Sequence, residues 1–468
     1  MWIRRCVWVI GLLCLSVTAS ADPVDDYVRA QLGPRRLPGV SLAVIKDGRI
    51  VKAAGYGLAS LELNAPASER TVYEIGSISK QLTANAVLLL AEDGKLSLDD
   101  PLSKYLQRTP PEWSAITVRQ VLTHTAGLPD FDIGNIGFSY RREYTEAEFV
   151  DLLAARPLEF KPGERWNYTN GFPLLGIVIE RASGMPYVDF VRTRIFEKLG
   201  LASARFKSST DVVPHRADGY LYKDGAYRHG EALRPALIAP NGGVMINVLD
   251  FAAWDIAITS GRLLSSASVS AMTTPVRLAS GRTVGHGLGW FMDQFNGHRF
   301  GAHWGTTVTG HSAVIRRYVN DRVTVIMLAN LDDGGFGIDA MSKRIADMYV
   351  PGVDLRGLTV AKNADARHVA GIRRAVTTIA AGEDGSGITP GLGARLPAPL
   401  QQRIAAALAS ATAFESLGGE AVTDAHFNLD AALVRQEWYR VPTPAGFRYL
   451  TIRLDSAGRV LGVLIEDE

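Results

Sequence analysis

The hydrophobic pattern in the first part of the chain predicts a β-hairpin followed by a buried helix. Two β-like runs, 40–45 and 50–54, flank Asp47-Gly48, a pair that favours a tight turn. Over 77–92 apolar residues recur at helical spacing and also occupy the other sides of the helix. A helix that is apolar nearly all round is expected to be buried. The pattern therefore places Ser77 at the amino end of a buried central helix.

Three more elements follow from the pattern before residue 350. Helices are predicted over 174–182 and 188–199, each followed by a glycine that ends it. The nearly continuous apolar run 323–328 predicts a strand buried on both faces.

The composition changes after about residue 349, and Pro351-Gly352 has the character of a junction. Two helical patterns, 365–381 and 398–411, flank a glycine-rich loop, and β-like runs follow at 414–417, 433–439, 447–454 and 460–465. Helices followed by a strand meander predict a small α+β domain over 355–468, loosely similar to cystatin or nuclear-transport-factor domains. It could serve as a lid, a dimerisation element or a spacer.

The first 21 residues have the features of a secretory signal. Arg4 and Arg5 precede an apolar run that is shorter than the roughly 20 residues of a membrane span, and Ala19-Ser20-Ala21 suits cleavage. The expectation is an exported, periplasmic or secreted protein without a stable membrane span; a retained amino-terminal anchor is the alternative. The main domain is then expected over 22–350.

Removal of this segment changes the charge and the cysteine content. Cys6 and Cys14 both lie within it, so the mature chain has no disulfide. Without Arg4 and Arg5 the 50 basic residues become 48, which equals the 48 acidic residues. This balance favours neither nucleic acid nor an anionic surface as a partner, and the composition favours no particular oligomeric state.

Ser77 and Lys80 form the first candidate catalytic pair. Residues three apart on a helix share a face, and a serine hydroxyl needs a neighbouring base to become a nucleophile. A Ser-x-x-Lys pattern alone is common, and an exposed Lys80 is the simpler interpretation. A lysine in an otherwise apolar helix is costly, however, and this position favours a catalytic task.

Two later motifs add polar groups. Tyr168-Thr169-Asn170 lies on a predicted loop before a helix, where a tyrosine with a lowered pKa could shuttle protons and an asparagine could bind a substrate amide. His303-Trp304-Gly305-Thr306 combines a histidine that could donate to a substrate with a glycine that allows close approach. The nine histidines are scattered without a His-Glu-x-x-His motif, so no metal or other cofactor is expected.

Taken together, these motifs resemble the serine β-lactamase and penicillin-binding superfamily. The resemblance also includes the segments 74–81, 122–129, 162–164, 287–290 and 310–312, and it extends over about 24–349. Among its branches, the chain is most similar to class C β-lactamases, D-alanyl carboxypeptidases, D-aminopeptidases and related esterases.

The resemblance implies a mixed α/β fold, with an antiparallel sheet flanked by helices and a helical subdomain beside the active-site cleft. It implies that Ser77 is the acylated nucleophile, with Lys80 as its proton partner and Tyr168 as the base in acylation and deacylation. It leaves open which of Lys80 and Tyr168 takes the first proton. The backbone amides of Ser77 and Thr306 would form the oxyanion hole. Asn170, His303, Trp304 and Gly305 would contact a small-molecule or peptide substrate.

One departure from the family pattern affects the expected substrate. Many β-lactamases have Lys-Thr-Gly where this chain has His303-Trp304-Gly305, and a neutral histidine is a poorer partner for the drug's carboxylate. This favours an esterase or D-amino-acid peptidase, with a β-lactamase or a catalytically silent scaffold as alternatives. A Ser-His-Asp hydrolase is disfavoured because the chain has no Gly-x-Ser-x-Gly elbow.

Overall fold

The computed structural model of the protein describes residues 22–131, 138–208, 210–230, 237–332, 334–424 and 426–467. The predicted signal segment, 1–21, lies outside the described residues.

The central layer of the protein is a seven-stranded antiparallel sheet. The strands up to residue 332 are β1 (Gly39–Lys46), β2 (Arg49–Ser60), β3 (Ala65–Pro66), β4 (Tyr73–Glu74), β5 (Arg205–Phe206), β6 (Tyr220–Lys223), β7 (Ala226–His229), β8 (Val244–Ile246), β9 (Val276–Arg277), β10 (Thr283–Val284), β11 (Phe291–Phe295), β12 (His298–Thr307), β13 (His311–Tyr318), β14 (Val323–Ala329) and β15 (Leu331–Asp332). The order in the large sheet is β11-β12-β13-β14-β1-β2-β3. The predicted antiparallel sheet is thus confirmed.

Local turn chemistry and apolar patterning account for the centre of this sheet. Asp47 and Gly48 have φ values of 51° and 73°, as a type I′ hairpin turn requires, and they join β1 to β2. Every residue of β14 is buried. Ile326 and Leu328 pack in one hydrophobic cluster, and the alternate residues Val325 and Met327 pack in the other. The predicted doubly buried strand is therefore confirmed.

Helices cover both faces of the sheet. They are α1 (Pro23–Leu32), α2 (Ser79–Glu92), α3 (Val118–Leu122), α4 (Glu146–Ala154), α5 (Phe172–Ser183), α6 (Tyr187–Val191), α7 (Ala239–Gly242), α8 (Val248–Thr259), α9 (Ser266–Thr273) and α10 (Phe336–Asp347). Residues of α1 and α10 belong to one cluster, while α2, α5 and α8 belong to the larger cluster on the other face.

Two predicted helices differ from the structure at their ends. Ser77 lies in a 3-10 turn, Gly76–Ile78, and the α-helix begins only at Ser79, because the chain turns sharply at Gly76 (φ 49°) before the helix starts. The helix predicted over 188–199 is α6 followed by a π-helical turn, Arg192–Glu197.

The last part of the chain packs its own hydrophobic core. It contains α11 (Ala366–Ala380), α12 (Leu392–Arg395), α13 (Ala398–Ala409), β16 (Glu415–Ala421), β17 (Arg435–Thr443), β18 (Gly446–Leu454) and β19 (Val460–Asp467), with the strands in an antiparallel meander. A separate small cluster includes Phe295 of β11 and Trp438 of β17, whose ring centroids are 4.6 Å apart. The domain boundaries at 350 and 355 stay a prediction.

Candidate active site

The turn that carries Ser77 is pressed against the edge of β12. A Cβ atom on Gly76 would lie 2.4 Å from the carbonyl oxygen of Thr306, and one on Gly305 would lie 1.9 Å from the carbonyl oxygen of Ile75. Both positions therefore require glycine. At the same contact, the amide nitrogen of Ser77 lies next to Gly305, and the amide nitrogen of Thr306 lies next to Gly76.

Lys80 lies one helical turn after Ser77 and is fully buried. Its Nζ is 3.0 Å from Ser77 Oγ, 3.1 Å from Asn170 Oδ1 and 3.3 Å from the carbonyl oxygen of Asn241. Three oxygen atoms around Nζ match the three N–H bonds of an ammonium group. This contact set compensates the cost of placing a cation in an apolar helix.

Tyr168 reaches the same serine from the loop before α5. Tyr168 and Ser77 line the same cavity, and the Tyr168 ring centroid is 5.0 Å from Lys80 Nζ. Burial raises the pKa of Tyr168 above its usual range. This shift is opposite to the lowered pKa that the sequence suggested, so Tyr168 is a neutral phenol in the resting enzyme.

Asn170 connects the cation to a carboxylate that the sequence analysis missed. Its Nδ2 lies 3.2 Å from Asp130 Oδ1, and its backbone N–H donates to Asp130 Oδ2 at 3.1 Å. Its Oδ1 also accepts from Asn241 Nδ2 at 3.0 Å. Asp130 follows the segment 122–129 directly, and this adjacency was the only signal that could have identified it.

His124 holds the loop of Tyr168 in place. It is buried with a left-handed backbone (φ 56°). Its Nδ1 accepts from the backbone N–H of Thr169 at 3.2 Å, and its ring centroid is 4.4 Å from that of Tyr168. His124 belongs to the family-like segment 122–129, but the sequence analysis assigned it no role.

His303 is a neutral side chain in the wall of the site. Burial, together with the smaller effect of the nearby Lys80 charge, lowers the pKa of His303 to about 3. Nδ1 lies 2.7 Å from the carbonyl oxygen of Trp304, so the proton belongs on Nδ1 and Nε2 presents a lone pair. The expected donation from His303 to a substrate is therefore wrong for this tautomer.

Trp304 shares the wall of the site with Asp339, which belongs to a buried ion pair. Oδ1 of Asp339 is 2.6 Å from Arg316 Nη2, and its Oδ2 is 3.3 Å from Lys343 Nζ. Burial by itself raises the pKa of Asp339, but the charges of Arg316 and Lys343 outweigh it and the pKa is lowered. The sequence analysis missed Asp339 as well.

A cavity of about 350 Å³ opens above these groups. Its described lining residues combine the catalytic candidates with aromatic and glycine residues: Ser77, Tyr168, Phe291, His303, Trp304, Gly305, Thr306, Gly334, Gly335 and Asp339. The structure thus brings the residues of all three motifs to one cavity. Asn170 lies behind it, beside Lys80.

Comparison with known protein families leads to the same superfamily as the motifs of Ser77, Lys80 and Tyr168. The Beta-lactamase family model matches residues 24–348. The chain belongs to this family. Membership makes the protein a serine hydrolase of the β-lactamase and penicillin-binding superfamily.

Relatives within the β-lactamase family include both penicillin-binding proteins and an esterase. Penicillin-binding protein 4* of Bacillus subtilis (strain 168) is 30% identical over 323 residues, which cover 64% of this chain and 70% of the relative. Esterase EstB of Burkholderia gladioli is 32% identical over 209 residues, which cover 42% of this chain and 53% of the esterase. The structure of the octameric penicillin-binding protein homologue from Pyrococcus abyssi matches with a TM-score of 0.60 and 22% identity, covering 93% of this chain and 94% of that one.

In the described ranges, no group of three or more histidine, cysteine, aspartate or glutamate side chains is arranged to hold a metal ion. Among the helices of the same ranges, none has both the length and the apolar character of a membrane span.

Proposed function

We propose that this serine hydrolase forms an acyl-enzyme at Ser77 and acts on small neutral esters or on amides of D-amino acids. The observation that carries the proposal is the contact of Ser77 Oγ with Lys80 Nζ at 3.0 Å, in a cavity that Tyr168 also lines. A serine bonded to one proton-transfer group, with a second one in the same cavity, has the arrangement of an activated nucleophile.

The reaction then proceeds in two halves. In the active form, the Lys80–Tyr168 pair has already lost one proton to solvent. Ser77 Oγ bonds to the substrate carbonyl carbon as its own proton passes to this pair. The amides of Ser77 and Thr306 stabilise the oxyanion, and the leaving alcohol or amine takes the proton back as its bond to carbon breaks. Water attacks the acyl-enzyme in the second half, gives a proton to the same pair and restores Ser77 as the acid leaves. Because Lys80 Nζ lies 5.0 Å from the Tyr168 ring centroid, the two groups are proposed to share this proton as a pair.

The wall of the cavity supports a neutral substrate. His303 is uncharged near pH 7 because its pKa lies at about 3. None of the described lining residues is a lysine or arginine. A β-lactam or a peptide with a free carboxylate next to the scissile bond would find no cation on this wall, so β-lactam hydrolysis is the weaker alternative.

Intact mass spectrometry of the mature protein tests the proposal. After incubation with a fluorophosphonate, we expect a single adduct that is absent in Ser77→Ala and retained in Ser114→Ala, an exposed serine outside the site. Hydrolysis of ethyl acetate without turnover of a chromogenic cephalosporin would support the esterase assignment. Rapid cephalosporin turnover would support a β-lactamase. A folded protein with neither an adduct nor turnover would be a silent scaffold, and the proposal would be wrong.

A further inference from the structure

The loop between β16 and β17 extends from the C-terminal domain to the aromatic wall of the active site. We refer to residues 422–434 as the 422–434 loop. Phe427 of this loop packs edge-on against Trp166 and Phe291, with ring centroids 5.0 Å and 5.2 Å away. Phe427 is therefore in contact with the main domain, although it and Phe291 are 136 residues apart in sequence.

Phe291 links Phe427 to the cavity. It lines the cavity, and its ring centroid is 5.9 Å from Tyr168, 5.4 Å from His303 and 5.1 Å from Trp304. One side of Phe291 thus faces the groups around the nucleophile, and another side rests on Phe427. Edge-to-face aromatic pairs of this kind fix ring orientation.

The backbone of the 422–434 loop is held against the main domain. The N–H of Phe427 donates to Asp293 Oδ1 at 3.0 Å, and Arg282 Nη2 donates to the carbonyl oxygen of Asn428 at 2.7 Å. A Cβ atom on Gly285 would lie 2.7 Å from the Cα of Phe427, so this approach requires glycine. These contacts lie beside β11, of which Phe291 is the first residue.

A second anchor lies at the other end of β11. Glu420 accepts the backbone N–H groups of Asn296 and Gly297 at 3.1 Å and 3.0 Å, in the turn between β11 and β12. The C-terminal domain therefore holds β11 at both ends. A spacer would need neither anchor, nor an aromatic side chain against the wall of the cavity.

We infer that Phe427 is a specificity-determining residue of the hydrolase and that the C-terminal domain forms part of its substrate site. Phe427 holds Phe291 as the surface against which the aromatic or bulky apolar part of a substrate packs. The inference deepens the proposed function and rests on it. Because Phe427 acts through Phe291, it is a positioning residue, and its removal affects selectivity more than the chemistry at Ser77.

Steady-state hydrolysis of three esters tests the inference. Ethyl phenylacetate carries an aromatic acyl group, phenyl acetate an aromatic leaving group, and ethyl acetate neither. In Phe427→Ala, kcat/KM for at least one aromatic ester is expected to fall about tenfold relative to ethyl acetate, mainly through KM. Phe427→Leu keeps most of the side-chain volume and should restore much of the wild-type ratio between kcat/KM for the aromatic ester and kcat/KM for ethyl acetate. Phe414→Ala is the matched control, because Phe414 stacks on Tyr439 at 4.7 Å within the C-terminal domain itself.

A binding measurement separates this inference from the proposed function. In a Ser77→Ala background, affinity for the neutral ligand phenylacetamide, followed by tryptophan fluorescence, is expected to weaken about fivefold when Phe427→Ala is added. Unchanged affinity and unchanged ester ratios in folded protein would overturn the role of Phe427, whether or not Ser77 reacts with a fluorophosphonate. Loss of Ser77 reactivity in the wild type, with the binding difference intact, would overturn only the proposed function.

Discussion

The carboxylate of Asp339, which lines the cavity together with Trp304, is paired with the buried Arg316, whose Nη2 lies 2.6 Å from Asp339 Oδ1. This relationship connects the cavity wall to a buried charge pair. Arg316 is only 2% exposed, and its Cζ lies 4.4 Å from the ring centroid of Phe300, so the guanidinium has little contact with water. Asp339 in the substrate wall thus balances the charge of a buried guanidinium.

Removal of Asp339 is expected to be strongly destabilising. Asp339→Ala leaves Arg316 buried and unpaired, which costs about 3–5 kcal/mol of unfolding free energy. Urea denaturation measures this cost. Asp99→Ala breaks the exposed pair with Arg119 and is expected to cost less than about 1 kcal/mol. Equal effects of the two substitutions would contradict the assigned role of Asp339.

Lys80 is expected to be essential for reaction of Ser77. Lys80→Met removes the nitrogen 3.0 Å from Ser77 Oγ, and loss of a positioned proton-transfer group lowers the rate by about 10²- to 10⁴-fold. The rate of fluorophosphonate adduct formation is the measurement. Lys52→Met is the control, because Lys52 pairs with Asp22 and Asp25, far from the cavity lining. Normal labelling of the Lys80 variant would exclude the proton-transfer role.

The raised pKa of Tyr168 predicts an alkaline dependence of activity. Because burial raises this pKa, the phenol stays protonated at pH 7, and the fraction in the base form grows as the pH rises towards the folded-state pKa. We therefore expect kcat/KM to increase above pH 7 and Tyr168→Phe to lose this increase. Tyr187→Phe tests for a general effect, since Tyr187 is also buried but bonds to Thr83 instead. A flat wild-type profile would argue against Tyr168 as a titrating group.

Asp130 is expected to position Asn170 and, through it, Lys80. Asp130→Ala removes the acceptor of both Asn170 donors, and a displacement of about 1 Å at a reacting group can cost roughly 10²-fold in rate. We expect kcat to fall by about 10- to 100-fold, with little change in the melting temperature. The corresponding substitution of the exposed Asp151 should leave kcat unchanged. Wild-type kcat in Asp130→Ala would show that Asn170 keeps its place without the carboxylate.

The raised pKa of His426 predicts that the protein loses stability at alkaline pH. Burial lowers its pKa, but the carboxylate of Glu420, 3.3 Å from Nε2, and the negative charge of Asp293 outweigh this and raise the pKa of His426 above 6.5. The contribution of protonated His426 to the free energy of unfolding is therefore complete below about pH 6.5. It is lost as the pH rises through the raised pKa of the folded state. Thermal melting of the full chain from pH 6 to 9 should show this decline, and His426→Gln should flatten it. An identical decline in the variant would place the titrating group elsewhere.

Periodic and local features of the fold were accessible from the sequence. The β1–β2 hairpin follows from its turn residues, β14 follows from its apolar run, and the four strands after residue 414 follow from their β-like runs. The ends of elements were less accessible. Ser77 was placed in the helix, but the contact of Gly76 and Gly305 with neighbouring backbone holds it in the preceding turn.

The sequence by itself determined the nucleophile candidate and its lysine, because Ser77 and Lys80 are close on one helical turn whatever surrounds them. The resemblance to known motifs added Tyr168 and the third motif. Only the tertiary structure decided that Asp130 lies beside Asn170, that Asp339 lines the cavity, that Phe427 packs on Phe291 and that His303 is neutral. The partners of these residues are distant in sequence, and the charge state of a histidine depends on burial and neighbouring charges. No local pattern carries that information, since it arises only when the chain is folded.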